Sequence, residues 1–126
     1  MKLSEIRTLL SCEVFAGEEF LDRQVLYGCA SDLMSDVLAF SRSGALLLTG
    51  LVNVQTIQTA HIAEVDAVVL VRGKRPDQGI ISFAMEMRVP LLGTPYSMYE
   101  ACGILYRAGI PPTMQCAPRV ENANRV

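Results

Sequence analysis

Three short apolar segments, separated by segments with helical periodicity, constrain the fold of this chain more than any other feature. They span residues 45–49, 67–71 and 89–92, and a glycine follows each one closely. Strands that are apolar on both faces are typical of the centre of a parallel sheet, because helices cover both of its sides. Right-handed crossovers between such strands predict a three-layer α/β domain, with a mostly parallel sheet covered by helices.

Helix start and stop signals lie between and after these strands. Asn53 and Asp77 each precede a segment whose apolar residues recur at helical spacing, so both are predicted N-caps. Ser97 and Glu100 form the S-x-x-E capping box of a last helix, and Gly109 is predicted to end that helix. The order strand, helix, strand, helix, strand, helix follows from these signals.

The first 43 residues carry weaker signals. They predict a helix capped by Ser4, strands at 13–15 and 25–30, and a second helix capped by Ser31. The inner face of that second helix is predicted to carry Leu33, Met34, Val37 and Leu38.

Length and composition favour one domain with a buried core. The chain has 126 residues and is 51% apolar, and residues 1–112 are predicted to form a single α/β domain. Residues 113–126 lack periodicity and are predicted to be flexible or to dock on another subunit. No window of 18 residues is apolar and free of charge, and no secretory signal is recognisable, so we expect a cytoplasmic protein with no membrane partner. A net charge of −2 argues against general nucleic-acid binding.

The sequence predicts neither a metal site nor a cofactor. The four cysteines are far apart in the sequence and form no C-x-x-C pair; they are Cys12, Cys29, Cys102 and Cys116. We expect them to be reduced and mostly buried. His61, the one histidine, comes a helical turn after Ile57 and is predicted to face inward or border the core in a structural role.

Several short motifs in order resemble the DRTGG domain family. Residues 21–25 (LDRQV) and 30–37 (ASDLMSDV) resemble its first half, whereas 47–50 (LLTG), 71–77 (VRGKRPD) and 89–95 (VPLLGTP) resemble its second half. DRTGG domains accompany the catalytic domains of some phosphate acetyltransferases and the paired CBS domains of some pyrophosphatases, and they are similar to the amino-terminal domain of HPr serine kinases. The resemblance implies a stand-alone DRTGG-like regulatory domain.

The chain departs from that family at two places. It has Gly50-Leu51-Val52 where the family often has Gly-Asp-Arg, and its Gly-Gly element is reduced to Gly73-Lys74. The resemblance therefore does not imply any function that needs the acidic and basic pair.

Three strand-to-helix loops are predicted to meet at the carboxyl edge of the sheet. Ligands bind at this edge in open parallel sheets, and helix N-termini there favour anions. The predicted ligand-binding residues are Thr49, Gly50, Asn53, Arg72, Gly73, Lys74, Arg75, Thr94 and Ser97. Three basic residues within four positions predict a phosphate or carboxylate site, the alternative being a solvated turn. No P-loop is present, because valine stands at position 68 and Arg75 replaces the required Ser or Thr.

Other polar and aromatic residues have competing interpretations. Asn53 and Ser97 are more simply helix caps than ligand contacts or a nucleophile. Tyr96 and Tyr99 are expected either to stack on a ring or to close an edge of the core or an interface. Asp22 with Arg23 is expected to brace a turn. The spacing of Asp32 and Asp36 places them on one helix face, as an exposed or capping pair rather than a metal site.

No catalytic residue is predicted. The sequence favours a regulatory or sensor module that binds a small anionic ligand, such as a nucleotide, and signals to an unidentified protein partner. The alternative is a non-catalytic dimerisation or protein-interaction module with no small ligand, which the apolar content and six methionines favour. A homodimer is expected under either interpretation.

Overall fold

A computed structural model describes residues 1–113, which build one five-stranded sheet. The strands are β1 (Glu13–Ala16), β2 (Tyr27–Ala30), β3 (Ala45–Thr49), β4 (Ala67–Leu70) and β5 (Leu91–Gly93). Their order across the sheet is β1-β5-β4-β3-β2. Strands β2 to β5 are parallel to one another, and β1 pairs with β5 in the antiparallel direction. The predicted, mostly parallel sheet is confirmed; the tail prediction lies almost wholly outside the described residues.

Five α-helices in the described part of the chain cover the two faces of this sheet. They are α1 (Leu3–Leu9), α2 (Met34–Phe40), α3 (Val54–Ile62), α4 (Gln78–Met87) and α5 (Met98–Arg107). Helices α2, α3 and α4 pack side by side on one face, and α1 and α5 pack on the other. The predicted three-layer α/β architecture is therefore confirmed. Within residues 1–113, no helix is both long and apolar enough to span a membrane.

Alternate residues of the central strands belong to two separate hydrophobic clusters. On β3, Leu47 packs under α2 to α4, whereas Leu46 and Leu48 pack under α1 and α5. On β4, Val68 and Val69 divide in the same way, and none of these five side chains is more than 2% exposed. Each such burial stabilises the fold by roughly 1.5–3 kcal/mol relative to an exposed side chain. Helices on both faces explain why these strands are apolar throughout.

The predicted helix caps of the second half are confirmed. The side-chain oxygens of Asn53 and Asp77 accept hydrogen bonds from the third amide of their helices, each at 2.9 Å. Ser97 Oγ accepts from Glu100 N at 3.1 Å, and Glu100 Oε1 accepts from Ser97 N at 3.4 Å, which completes the capping box. Helix α5 ends at Arg107, two residues before Gly109, whose φ of +102° lies in the left-handed region that favours glycine.

The first helix begins earlier than predicted. Lys2, not Ser4, is the N-cap residue of α1. Lys2 N donates to Glu5 Oε1 at 2.7 Å, so a carboxylate three residues on satisfies the free amide. Ser4 thus already lies inside the helix.

The second helix begins later than predicted. Ser31 Oγ accepts from Leu33 N at 3.0 Å, which makes a turn before the helix instead of a cap. Leu33 and Leu38 are 58% and 50% exposed, so their placement on the inner face was wrong. Met34 and Val37, three residues apart, form the buried stripe of α2.

Candidate functional site

The carboxyl ends of β2, β3, β4 and β5 lie at one edge of the sheet, because these strands are parallel. The three loops predicted to meet there follow β3, β4 and β5. A fourth loop, residues 31–33 after β2, also leaves from this edge. This loop carries Asp32, which sequence interpretation did not include among the ligand-binding residues.

Asp32 ties the β2 loop to the end of β3. Its Oδ1 accepts hydrogen bonds from Gly50 N at 2.6 Å and from Thr49 Oγ1 at 3.0 Å. Asp32 precedes α2, so the prediction that it shares a helix face with Asp36 was wrong. Thr49 is fully buried, and its hydroxyl also accepts from Leu51 N at 3.2 Å. The hydroxyl of Thr49 is therefore occupied by the protein itself.

Arg72 lies across a small space from Asp32. A Cβ added to Gly50 would stand 3.5 Å from Arg72 Nη2 and 3.5 Å from both Asp32 carboxylate oxygens. Arg72 has a φ of +60°, and its backbone N donates to the Tyr96 carbonyl at 2.7 Å, which fixes the loop. The absence of a side chain at Gly50 thus leaves a gap that both a cation, Arg72, and an anion, Asp32, border.

The Arg72 guanidinium has no acidic partner in the described part of the chain. The ion pairs there are Arg7 with Glu18 and Arg75 with Glu13. Asp32 Oδ2 likewise makes no hydrogen bond within residues 1–113. Both groups therefore remain available to a molecule that enters the gap above Gly50.

Arg75 points to the opposite side of the site. Its two terminal nitrogens donate to the Glu13 carboxylate at 2.6 and 3.0 Å, and its guanidinium lies 5.2 Å from the centre of the Phe15 ring. The hydrogen bonds from Arg75 hold the pKa of Glu13 below its ordinary value. Since Glu13 belongs to β1, at the far edge of the sheet from Asp32, the three basic residues do not converge on one point.

Lys74 and Gly73 lie on the Arg75 side of the site. A cavity of about 170 Å³ there is bordered by Gly73, Lys74, Arg75, Glu13 and Thr94. The Thr94 hydroxyl is itself engaged, since it donates to the Leu10 carbonyl at 2.5 Å and accepts from Tyr96 N at 3.3 Å. On this side of the edge, the Glu13 carboxylate balances one of the two cations, that of Arg75.

The remaining polar predictions have mixed outcomes. His61 is exposed, so the prediction that it faces inward or borders the core was wrong; it lies in the last turn of α3, beyond the buried stripe that ends at Ala60. Arg23 Nη1 donates to the Asp66 carbonyl at 3.1 Å, and so it braces the loop before β4 instead of pairing with Asp22. Within residues 1–113, no three His, Cys, Asp or Glu side chains are grouped as metal ligands.

The cysteines are less buried than expected. Cys12, Cys29 and Cys102 are half-buried free thiols, and Cys116 lies outside the described residues. Burial raises the pKa of Cys12 to about 12 and also raises the pKa values of Cys29 and Cys102. All three thiols are therefore protonated at neutral pH.

Comparison with known proteins identifies the fold. No protein-family model matches the sequence, and neither does any curated protein. A solved structure is similar: the CBS and DRTGG domains of the regulatory region of Clostridium perfringens pyrophosphatase, complexed with its activator diadenosine tetraphosphate. The TM-score is 0.67 at 18% identity, over 87% of this chain and 47% of that one. The fold is CBS/DRTGG-like. This chain spans about half the length of that structure, and the likeness concerns the fold alone.

Proposed function

We propose that this chain is a DRTGG-type regulatory module that binds a small anionic ligand at the carboxyl edge of its sheet. The observation that carries the proposal is the Arg72 guanidinium, which borders the gap above Gly50 and has no acidic partner within residues 1–113. A guanidinium offers a planar fork of donors that matches phosphate and carboxylate groups. The similar pyrophosphatase region binds an activator nucleotide, which makes nucleotides the first ligands to test.

The ligand that fits this site carries an anion and a hydrogen-bond donor. Its phosphate or carboxylate would contact Arg72, and its hydroxyl or amino group would donate to Asp32 Oδ2. A nucleotide has both groups, since its ribose hydroxyls lie close to its phosphates. Asp32 also links the start of α2 to the end of β3. A ligand that engages Asp32 therefore couples binding to the position of α2, and α2 offers a route by which a protein partner could sense the ligand.

The proposal includes a non-catalytic role, a cytoplasmic location and a homodimer, with a protein partner still to be identified. A second candidate is a dimerisation or interaction module with no small ligand. Exposed apolar side chains on the three helices of one sheet face favour this second candidate. Leu38 on α2, Ile62 on α3 and Met85 on α4 are 50%, 68% and 60% exposed. Measuring the molecular mass of the protein in solution against its concentration, with and without nucleotides, distinguishes the ligand-binding module from the interaction module.

Thermal unfolding against nucleotides tests the ligand site. A ligand at about 100 times its dissociation constant adds about 2.7 kcal/mol to the free energy of unfolding. That raises Tm by roughly 10 °C in a domain of this size. The panel includes ATP, diadenosine tetraphosphate and inorganic phosphate, each measured with the wild type, Arg72→Ala and Arg107→Ala. Arg107 is exposed on α5, so its variant is a control with the same loss of charge.

The result expected is a nucleotide-dependent shift that Arg72→Ala loses and Arg107→Ala keeps. An equal Tm shift in both variants would show that the nucleotide binds at a place that does not include Arg72. No shift with any member of the panel would contradict nucleotide sensing and favour the interaction module.

A further inference from the structure

A second cavity lies on the α1–α5 face of the sheet. Its volume is about 460 Å³, and its walls come from strand β2, helix α5 and the segment 110–112. Small-molecule sites in proteins typically measure about 300–1,000 Å³. No residue of the Arg72 site borders this cavity, so it is a separate feature of the fold.

Within residues 1–113, the side chains on the walls of this cavity include no ionisable acid or base other than one weakly acidic thiol and two phenols. Apart from backbone, their polar atoms belong to Cys102, Tyr99 and Tyr106, because the Cys29 side chain packs on the other face of the sheet. Burial raises the pKa of the Cys102 thiol, which keeps it neutral. A charged group entering here would lose its hydration without gaining a counter-charge, which costs several kcal/mol. The part of any ligand that enters is therefore uncharged.

The edge of β2 supplies one donor and one acceptor to the cavity. Tyr27 N and Ser31 N donate inward to the β3 side, so the alternate residues Gly28 and Ala30 direct their backbone groups outward. Gly28 uses both groups, since its N donates to the Pro111 carbonyl at 2.9 Å and its carbonyl accepts from Thr113 N at 3.2 Å. Ala30, which also borders the cavity, has no such partner within residues 1–113.

Helix α5 has a notch where it faces the cavity. Nothing lies within 4 Å of the position that a Cβ on Gly103 would occupy. Tyr99 and Tyr106 stand one turn before and one turn after this glycine, with exposures of 90% and 72%. Both tyrosines border the cavity, and an exposed aromatic ring offers an apolar face on which a flat molecule can stack.

We propose that this cavity is a second binding site, whose ligand is an uncharged planar heteroaromatic ring with an adjacent N–H donor and acceptor. The ring lies in the notch at Gly103 against Tyr99 or Tyr106, and its polar edge pairs with the outward N–H and carbonyl of Ala30. A purely aliphatic ligand would leave these two backbone groups unsatisfied once water is displaced. This site does not include Arg72, so the proposal holds even if no anion binds at Arg72.

The test uses 7-azaindole, a neutral bicyclic ring with one N–H beside one ring nitrogen. Amide NMR spectra of the full chain are recorded during a titration, and 1-methyl-7-azaindole, which lacks the donor, serves as the matched ligand. We expect saturable shifts centred on the amides of Ala30 and Gly103, with a dissociation constant on the order of 1 mM for a fragment of this size. The methylated compound is expected to bind about tenfold more weakly.

Two variants at one position probe the cavity itself. Because the space at Gly103 is open, Gly103→Ala and Gly103→Leu should both fold, which unfolding curves verify. Gly103→Leu fills the notch and should weaken binding about tenfold or more, whereas Gly103→Ala should retain it within about threefold. Arg72→Ala should leave 7-azaindole binding unchanged. The proposal is overturned by shifts that do not saturate or that centre elsewhere, by equal affinities in the two Gly103 variants, or by equal affinities for the two compounds.

Discussion

Replacement of Thr94 by valine tests whether its hydroxyl is structural. The hydroxyl is buried and donates to the carbonyl of Leu10, the C-cap residue that follows α1 and is itself 0% exposed. Valine keeps the shape of threonine but leaves that carbonyl without its donor. A buried polar group that loses its partner costs about 1–3 kcal/mol. Taking the middle of that range, Tm should fall by roughly 6–10 °C.

Thr59→Val is the matched control. Thr59 is 5% exposed in α3, and its hydroxyl makes no hydrogen bond within residues 1–113. Threonine and valine have similar helix propensities, so this variant should change stability by less than about 0.5 kcal/mol. Urea denaturation followed by circular dichroism measures both variants, with the slope m expected to stay constant. The reasoning is refuted if Thr94→Val unfolds at the wild-type midpoint, or if Thr59→Val loses as much stability.

Three further predictions concern other places in the fold. In Gly93→Ala, the new Cβ would stand 2.6 Å from Phe15 Cε2, so we expect a loss of about 1–3 kcal/mol in urea denaturation; an unchanged midpoint would contradict the close packing. Burial raises the pKa of Asp66, so ionisation of this carboxyl is less favourable in the folded chain than in the unfolded chain. Asp66→Asn should therefore be more stable than the wild type at pH 7, with the difference vanishing below about pH 3.5, and a difference that persists there would refute this. Cys12, with its pKa raised to about 12, should react with iodoacetamide at pH 8 far more slowly in the folded chain than in urea, as measured by mass spectrometry; equal rates would show that it is not protected.

Local signals explain which parts of the fold could be predicted from the sequence. Asn53, Asp77 and Ser97 were identified correctly because a cap acts on amides within the next three residues. The strand at 45–49 was identified because covering both faces leaves an unbroken apolar segment. Helix α2 was predicted less well, because all four apolar residues at its start and middle were assigned to its buried face. Packing buries Met34 and Val37 and leaves the two leucines exposed.

The candidate site depended on contacts that no local signal carries. The partner of Arg75 is Glu13, 62 residues away, and this pairing separates Arg75 from Arg72. Asp32 reaches Gly50, 18 residues further on, because β2 and β3 are neighbours in the sheet. That Asp32 follows a strand end was visible in the sequence, and knowledge of the strand order would have placed it at the site. Strand order is the information that periodicity and capping do not contain.

The order of the strands also determines when each part of the fold can form. The two outer strands, β1 and β2, come from the first 30 residues, whereas the three inner strands follow one another from residue 45 to residue 93. During synthesis the outer strands leave the ribosome before the inner ones, yet the strand partner of β1 within residues 1–113 is β5, the last strand of that part of the chain. Pairing β1 with β5 closes a long loop of chain between them, and the entropy cost of closing that loop slows folding. Strand β1 must therefore remain without its strand partner until the other four strands of the sheet have been translated.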